Sequence, residues 1–319
     1  MNKTTVWLII GAVLLIVGLV LFAIEMTALG WDFSRLSTVR YESVMHGVEQ
    51  PFHSISVDTK TADITFALAE DGVGRVVADE TEKLRYSVSV EEGVLKICLM
   101  DKRDWYDRIG VFFETPTLTV YLPQKEYEAL TVKESTGDVQ IPGDFTFESL
   151  TVEISTGDVA LRASVKEQAR VKTTTGDILA ENMMAGALDL CATTGDITVK
   201  IVICAGNIDV AVGTGKTELA DVRCRSLATV GTTGDIRMKN VIAKGSVSIE
   251  RDTGDVTFDA CDAAEITVRT TTGDVTGSLL SPKNFEASAT TGDVRVPSSD
   301  EGGTCVINTT TGDIHIKIK

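Results

Sequence analysis

The tetrad Thr-Gly-Asp-Val/Ile returns every 19 or 20 residues through the last 190 residues of the chain. Its glycines are Gly137, Gly157, Gly176, Gly195, Gly215, Gly234, Gly254, Gly273, Gly292 and Gly312. A fixed period this short specifies a stack of small units, not a globular domain around one cleft. Threonine precedes the glycine in all ten copies and aspartate follows it in nine, with Lys216 the exception. Val or Ile stands two places after the glycine in nine copies, and Thr217 is the exception.

Apolar residues alternate with Thr, Ser, Glu, Lys and Arg on both sides of the tetrad. Seven and five places upstream stand pairs such as Leu130 and Val132, Leu150 and Val152, Leu188 and Leu190. Two and four places downstream stand pairs such as Val139 and Ile141, Val159 and Leu161, Ile197 and Val199. Period-two alternation of β-branched residues is a strand signal. The apolar parity is odd before the glycine and even after it. A straight strand cannot hold both sets on one face, so the chain must bend at Thr-Gly-Asp. Glycine supplies the φ > 0 backbone such a corner needs. The pattern therefore predicts an all-β fold: a parallel β-solenoid with two short strands per 19–20-residue coil.

Ahead of the repeat, Val6 to Ile24 runs 19 residues without a charge. At about 1.5 Å per residue it spans the roughly 30 Å hydrocarbon layer. Trp7 and Trp31 flank it as interfacial aromatics do. A signal peptide is the competing reading, with Ala28-Leu29-Gly30 as its small-residue cleavage site. The chain divides into a short cytoplasmic N-terminus (1–5), a transmembrane helix (6–24), a juxtamembrane linker (25–52), a β-rich capping region (53–129) and the repeat solenoid (130–319). In the capping region, Ser56 to Ile64 is a degenerate copy of the motif with Ala62 in the glycine slot. Tyr86–Val90 and Val94–Leu99 flank Glu91-Glu92-Gly93 as a hairpin. Asp101 to Glu114 reads as a charged, aromatic loop. At the other end, Ile314, Ile316 and Ile318 alternate with His315, Lys317 and Lys319, which reads as an open edge guarded by charges and a route to self-association.

The formal charge of −16 disfavours nucleic acid and anionic lipid surfaces as partners. Gly213-Thr214-Gly215-Lys216-Thr217 resembles the end of a phosphate-binding loop, but Val210 stands where that motif needs glycine. The aspartate row (Asp138, Asp158, Asp177, Asp196, Asp235, Asp255, Asp274, Asp293, Asp313) is read as turn-capping, with an ordered cation file as the alternative. An ice-binding threonine grid is rejected because the residues three before the glycine are mixed. Cys204 and Cys224 share a register and are read as small buried thiols, or else a disulfide. The three histidines, His46, His53 and His315, accompany no nucleophile motif, so no catalytic, cofactor-binding or metal residue is assigned.

The single N-terminal span, the Ser56–Ile64 strand, Thr117-Leu118-Thr119-Val120-Tyr121-Leu122-Pro123 and the Leu-Thr-Val-x-x-Ser/Thr-Thr-Gly-Asp-Val repeats together resemble the bacterial putative-adhesin family. That family includes LiaG-like proteins of Gram-positive cell envelopes. The resemblance covers about residues 50 to 319 and implies a β-strand-repeat fold without catalytic residues to transfer. The expectation is a single-pass membrane protein whose acidic extracytoplasmic rod binds a cell-wall polymer or another surface protein. The alternatives are an envelope-stress sensor or regulatory accessory protein, and a self-associating scaffold.

Overall fold

The computed structural model describes residues 3–28, 30–31, 41–104, 115–299 and 301–319. Helix α1 runs from Lys3 to Ala28. Its segment Thr4–Ala28, with a mean hydropathy of 3.0, is long and apolar enough to cross a membrane, a property that a signal sequence shares. Everything beyond it that is regular is strand.

The repeat folds as a parallel β-solenoid. Strands before each glycine stack in one ladder: Val152 of one coil lies between Val132 and Val171 of its neighbours, and Leu190 pairs with Val210. Strands after the glycine form a second ladder, in which Ile197 lies between Ile178 and Thr217. The inward residues of both ladders make one continuous buried core. Few apolar side chains per coil are available to offset the ordering of a whole turn of chain, so each layer depends on the layers above and below it.

All ten repeat glycines stack along one edge with φ between 127° and 152°. A Cβ built on any of them would fall 1.9–2.2 Å from the carbonyl oxygen of the residue stacked against it. For Gly137 that residue is Ala62, so the degenerate copy does occupy the glycine column. Both the backbone conformation and the close approach of neighbouring coils exclude a side chain here.

The strand after the glycine is itself bent in the middle coils. Asn182, Ile201, Asp221, Asn240 and Ala260 stack in one column with φ of 51–55°. Inward positions shift parity there: Val199 and Leu219 are inside before the bend, Val202 and Val222 after it.

The cap contains β1 (Glu42–Gly47), β2 (Ser54–Asp58), β3 (Asp63–Leu68), β4 (Arg75–Glu80), β5 (Leu84–Glu91), β6 (Val94–Asp101) and β7 (Thr117–Leu122). β2 and β3 form a coil sandwiched between β6 and β7 on one side and the Gly137 coil on the other. β5 closes β6 antiparallel, β4 closes β7 antiparallel, and β1 pairs with β4. The expected hairpin is β5–β6, turning through Glu92 and Gly93 at positive φ. β1 falls within 25–52, the stretch read as linker. Most of the loop expected over Asp101–Glu114 lies outside the described residues.

The distal end differs from expectation. The last coil in sequence, Gly303–Thr311 with Ile314–Ile318, is not the last in space. It pairs on one side with the Gly273 coil and on the other with the Gly292 coil. Ile314 and Ile316 are therefore buried, not an open edge. The chain skips one layer after Leu279, lays down Lys283–Thr291 and Val294–Arg295 outermost, then fills the gap with Gly303–Thr311 and Ile314–Ile318. The first coil is likewise tucked beneath β6 and β7, so neither sequence terminus of the solenoid is a spatial terminus.

Candidate functional site

The aspartate row is a chain of hydrogen bonds. The Asp158 amide donates to Asp138 Oδ1 at 2.8 Å, the Asp177 amide to Asp158 Oδ1 at 2.7 Å and the Asp196 amide to Asp177 Oδ1 at 2.7 Å. The Lys216 amide continues the row by donating to Asp196 Oδ1 at 2.7 Å. It follows the spatial order at the distal end, from Asp274 to Asp313 to Asp293. Each of these acceptor carboxylates thus caps the corner of the coil beside it, which suits the short reach of Asp. Among the described residues no cluster of His, Cys, Asp and Glu has metal-binding geometry.

Three other sequence features resolve into structure. The segment Gly213 to Thr217 is an ordinary corner, with Thr217 buried. Cys204 and Cys224 are free and buried, and burial pushes the Cys224 thiol up to about 12. The residues three before the glycine face inward, as Thr173, Ala192 and Val212 show, so they never bore on a threonine grid. The exposed columns are the two residues immediately before the glycine, such as Thr174-Thr175 and Thr193-Thr194.

One feature lay beyond sequence reasoning. Arg251 is only 2% exposed and runs down the core of the rod. Its guanidinium crosses Gly231, where an added Cβ would sit 2.0 Å from Nη1. Nη1 then donates to the Val212 carbonyl at 3.3 Å and Nη2 to Thr217 Oγ1 at 3.2 Å. Nε has no partner among the described residues. The departures from the repeat at Thr217, Gly231 and Arg251 are thus one arrangement. Burial pulls the Arg251 pKa down, opposed by the nearby Asp235 charge.

The described residues form several concave regions of about 330–380 Å³, of which two bear on ligand binding. One, of about 330 Å³, lies in the cap between Tyr86, Leu99, Lys60 and Arg103. Its cations already face a carboxylate: Asp101 is 3.1 Å from Arg103 and 3.6 Å from Lys60. The other, of about 380 Å³, lies on the face that follows the second bend. Its floor is apolar. Met184, Ile201 and Ile203 are 62%, 59% and 58% exposed, and Met184 stacks directly on Ile203. Asn182, Asp221, Arg223 and Asn240 form the rim, with Asn240 Nδ2 donating to Asp221 Oδ1 at 2.6 Å. Arg223 also lines the groove, and no ion pair joins it to a described carboxylate.

Ile201 is the informative residue of this groove. A β-branched side chain at φ 53° is a backbone outlier. Such a residue costs about 1–2 kcal/mol relative to right-handed geometry. Strain and exposed apolar surface coincide here, as they do at binding sites.

The fold defines the class: a regular parallel β-solenoid whose faces are ladders of side chains. Within that class the chain belongs to the Toastrack DUF4097 family, whose profile matches residues 52–203 and 198–319. No curated protein matches it. Among solved structures, it is similar to a putative adhesin from Parabacteroides distasonis at 13% identity, over 86% of this chain and 98% of that one, with a TM-score of 0.42. A putative lipid binding protein from the same organism aligns at 16% identity over 86% and 98% of the two chains, with a TM-score of 0.45. A putative cell adhesion protein from Clostridium sporogenes aligns at 12% identity over 88% and 100%, with a TM-score of 0.24.

Proposed function

We propose that this chain is a membrane-tethered binding rod, an adhesion module displayed at the cell envelope, and not an enzyme. In this reading α1 stays as a single-pass anchor with the N-terminus cytoplasmic and the solenoid extracytoplasmic. The groove over Met184, Ile201 and Ile203 carries the reading. An apolar floor beside Arg223, which has no ion-pair partner among the described residues, on a chain of net charge −16, suits an acidic partner that also inserts an apolar side chain. Another surface protein meets both requirements, whereas an anionic wall polymer meets only the electrostatic one. The test is retention of full-length protein in nanodiscs on isolated envelope fractions, with and without wall polymer. Ile203→Glu and Arg223→Glu should each reduce retention at least about tenfold. Equal retention of both variants contradicts the groove as the binding face.

A sensory or regulatory role has one observation in its favour. Glu134, buried where the cap meets the first repeat coil, accepts from the Ala62 amide at 2.8 Å while its Oε2 has no partner. Burial, with Asp63 and Asp138 close by, pushes its pKa up to about 8. Such a junction responds to mildly alkaline pH. Co-purification with a membrane kinase and no affinity for envelope fractions would favour this role over adhesion.

A further inference from the structure

The end of the rod away from the cap finishes on an open β edge. The outermost layer, Lys283–Thr291 with Val294–Arg295, is hydrogen-bonded to strands on one side only. Its inward residues Phe285, Ala287, Ala289 and Val296 are only partly covered, and Val294 is 41% exposed. At the opposite end the outer strands run antiparallel to the coils, β5 against β6, and β1 and β4 outside β7. Edges in soluble proteins are usually blunted by proline or by inward-pointing charge. No proline interrupts Lys283–Thr291, and its one inward charge, Lys283, is tied to Asp262 at 2.6 Å. The layer is also locally neutral: Lys283 and Arg295 balance Glu286 and Asp293, on a chain of net charge −16.

We propose that this edge pairs with the same edge of a second copy. Lys283–Thr291 would lie antiparallel to its twin about a two-fold axis near Ala287, joining two rods end to end. Antiparallel self-pairing satisfies the free backbone groups of both copies and lets their half-covered core layers close on each other. One patch meets itself, as a two-fold contact requires. Electroneutrality of the layer removes the like-charge repulsion that the rest of the acidic surface would impose. The two caps then point away from each other at the far ends of a rod of double length. This contact does not use the groove and goes beyond the function proposed above.

The test is sedimentation velocity of the full-length protein in detergent micelles over about a hundredfold concentration range. The expected result is a concentration-dependent dimer. Ala287→Lys, which places an inward charge on the edge, should weaken it at least about tenfold while leaving the monomer folded by circular dichroism. Ala287→Cys should form a disulfide-linked dimer on mild oxidation, whereas Ser248→Cys on a lateral face should not. A wild-type chain that stays monomeric throughout overturns the proposal. So does a dimer that Ala287→Lys leaves intact, which would place the contact on α1 or the groove. If Ala287→Lys does not fold, the cross-link decides, and absence of the Ala287→Cys dimer overturns the proposal.

Discussion

Arg251 shows how one side chain rewrites three coils. Its passage requires glycine at 231 and rewards a hydroxyl at 217, because the guanidinium crosses the first and bonds the second. A buried cation without a carboxylate partner is a liability, since desolvation is not repaid by pairing. The double variant Arg251→Met with Thr217→Val should therefore be at least as stable as the wild type by chemical denaturation. Gly231→Val should be destabilised by about 3 kcal/mol, because its side chain meets the guanidinium. Glu134 gives a pH dependence of defined sign. Its folded pKa of about 8 lies above the ordinary 4.5, so the folded state holds a proton that the unfolded state releases. Stability from this group is fully present below pH 4.5 and is lost as pH rises through about 8, by on the order of 5 kcal/mol at most. Glu134→Gln should flatten that decline in a series of thermal melts. At this scale the sequence was only partly legible. Lys216 and Thr217 stood out as exceptions, but Gly231 and Arg251 passed as irregularities in a column assumed to face outward. That column keeps the inward parity of the positions upstream of it, but its mixture of Glu, Thr, Gly and Arg carried no apolar signature to mark it as core.

Each coil is a corner followed by a strand, and the corner is held by the aspartate of the coil beside it. Asp177→Ala should cost about 1 kcal/mol, because the Asp196 amide loses its acceptor. Asp177→Asn keeps an oxygen in place and should cost less, and equal losses in denaturant titrations would refute the capping role. The second bend is the counterpart without a motif. Asn182, Ile201, Asp221, Asn240 and Ala260 share a left-handed backbone and no common chemistry, so no sequence period exposed them. Asn tolerates this conformation far better than Ile. Ile201→Asn should therefore raise stability by about 1 kcal/mol while weakening retention on envelope fractions. A gain in stability without a loss of retention would separate the strain from the groove's function. The strands themselves were plain in the alternation, since Val, Ile and Leu recur at the inward positions of nearly every coil.

At the scale of the whole molecule, the repeat period revealed the stack but not its order. Successive glycines keep 19- or 20-residue spacings whether the chain steps to the next layer or skips one, so Gly292 and Gly312 carry no sign of their exchange. The exchange ties the end of the rod together. Among the described residues the strands of the Gly292 layer pair only with those of the Gly312 layer. Removing residues 303–319 should therefore abolish hydrogen-exchange protection in 283–295 as well, while protection in the Gly195 to Gly234 coils persists. The Gly292 layer has its pairing partners C-terminal to it, so it cannot take its place in the sheet before the Gly312 layer forms.

Distances between spin labels at Thr174 and Thr310, and at Thr174 and Thr290, test the stacking and its order together. All three residues stand two places before a repeat glycine, on one exposed column. With coils about 4.8 Å apart, six layers place Thr310 about 29 Å from Thr174, and seven place Thr290 about 34 Å away. A Thr290 distance shorter than the Thr310 distance, or two broad distributions without those maxima, would contradict the rod described here.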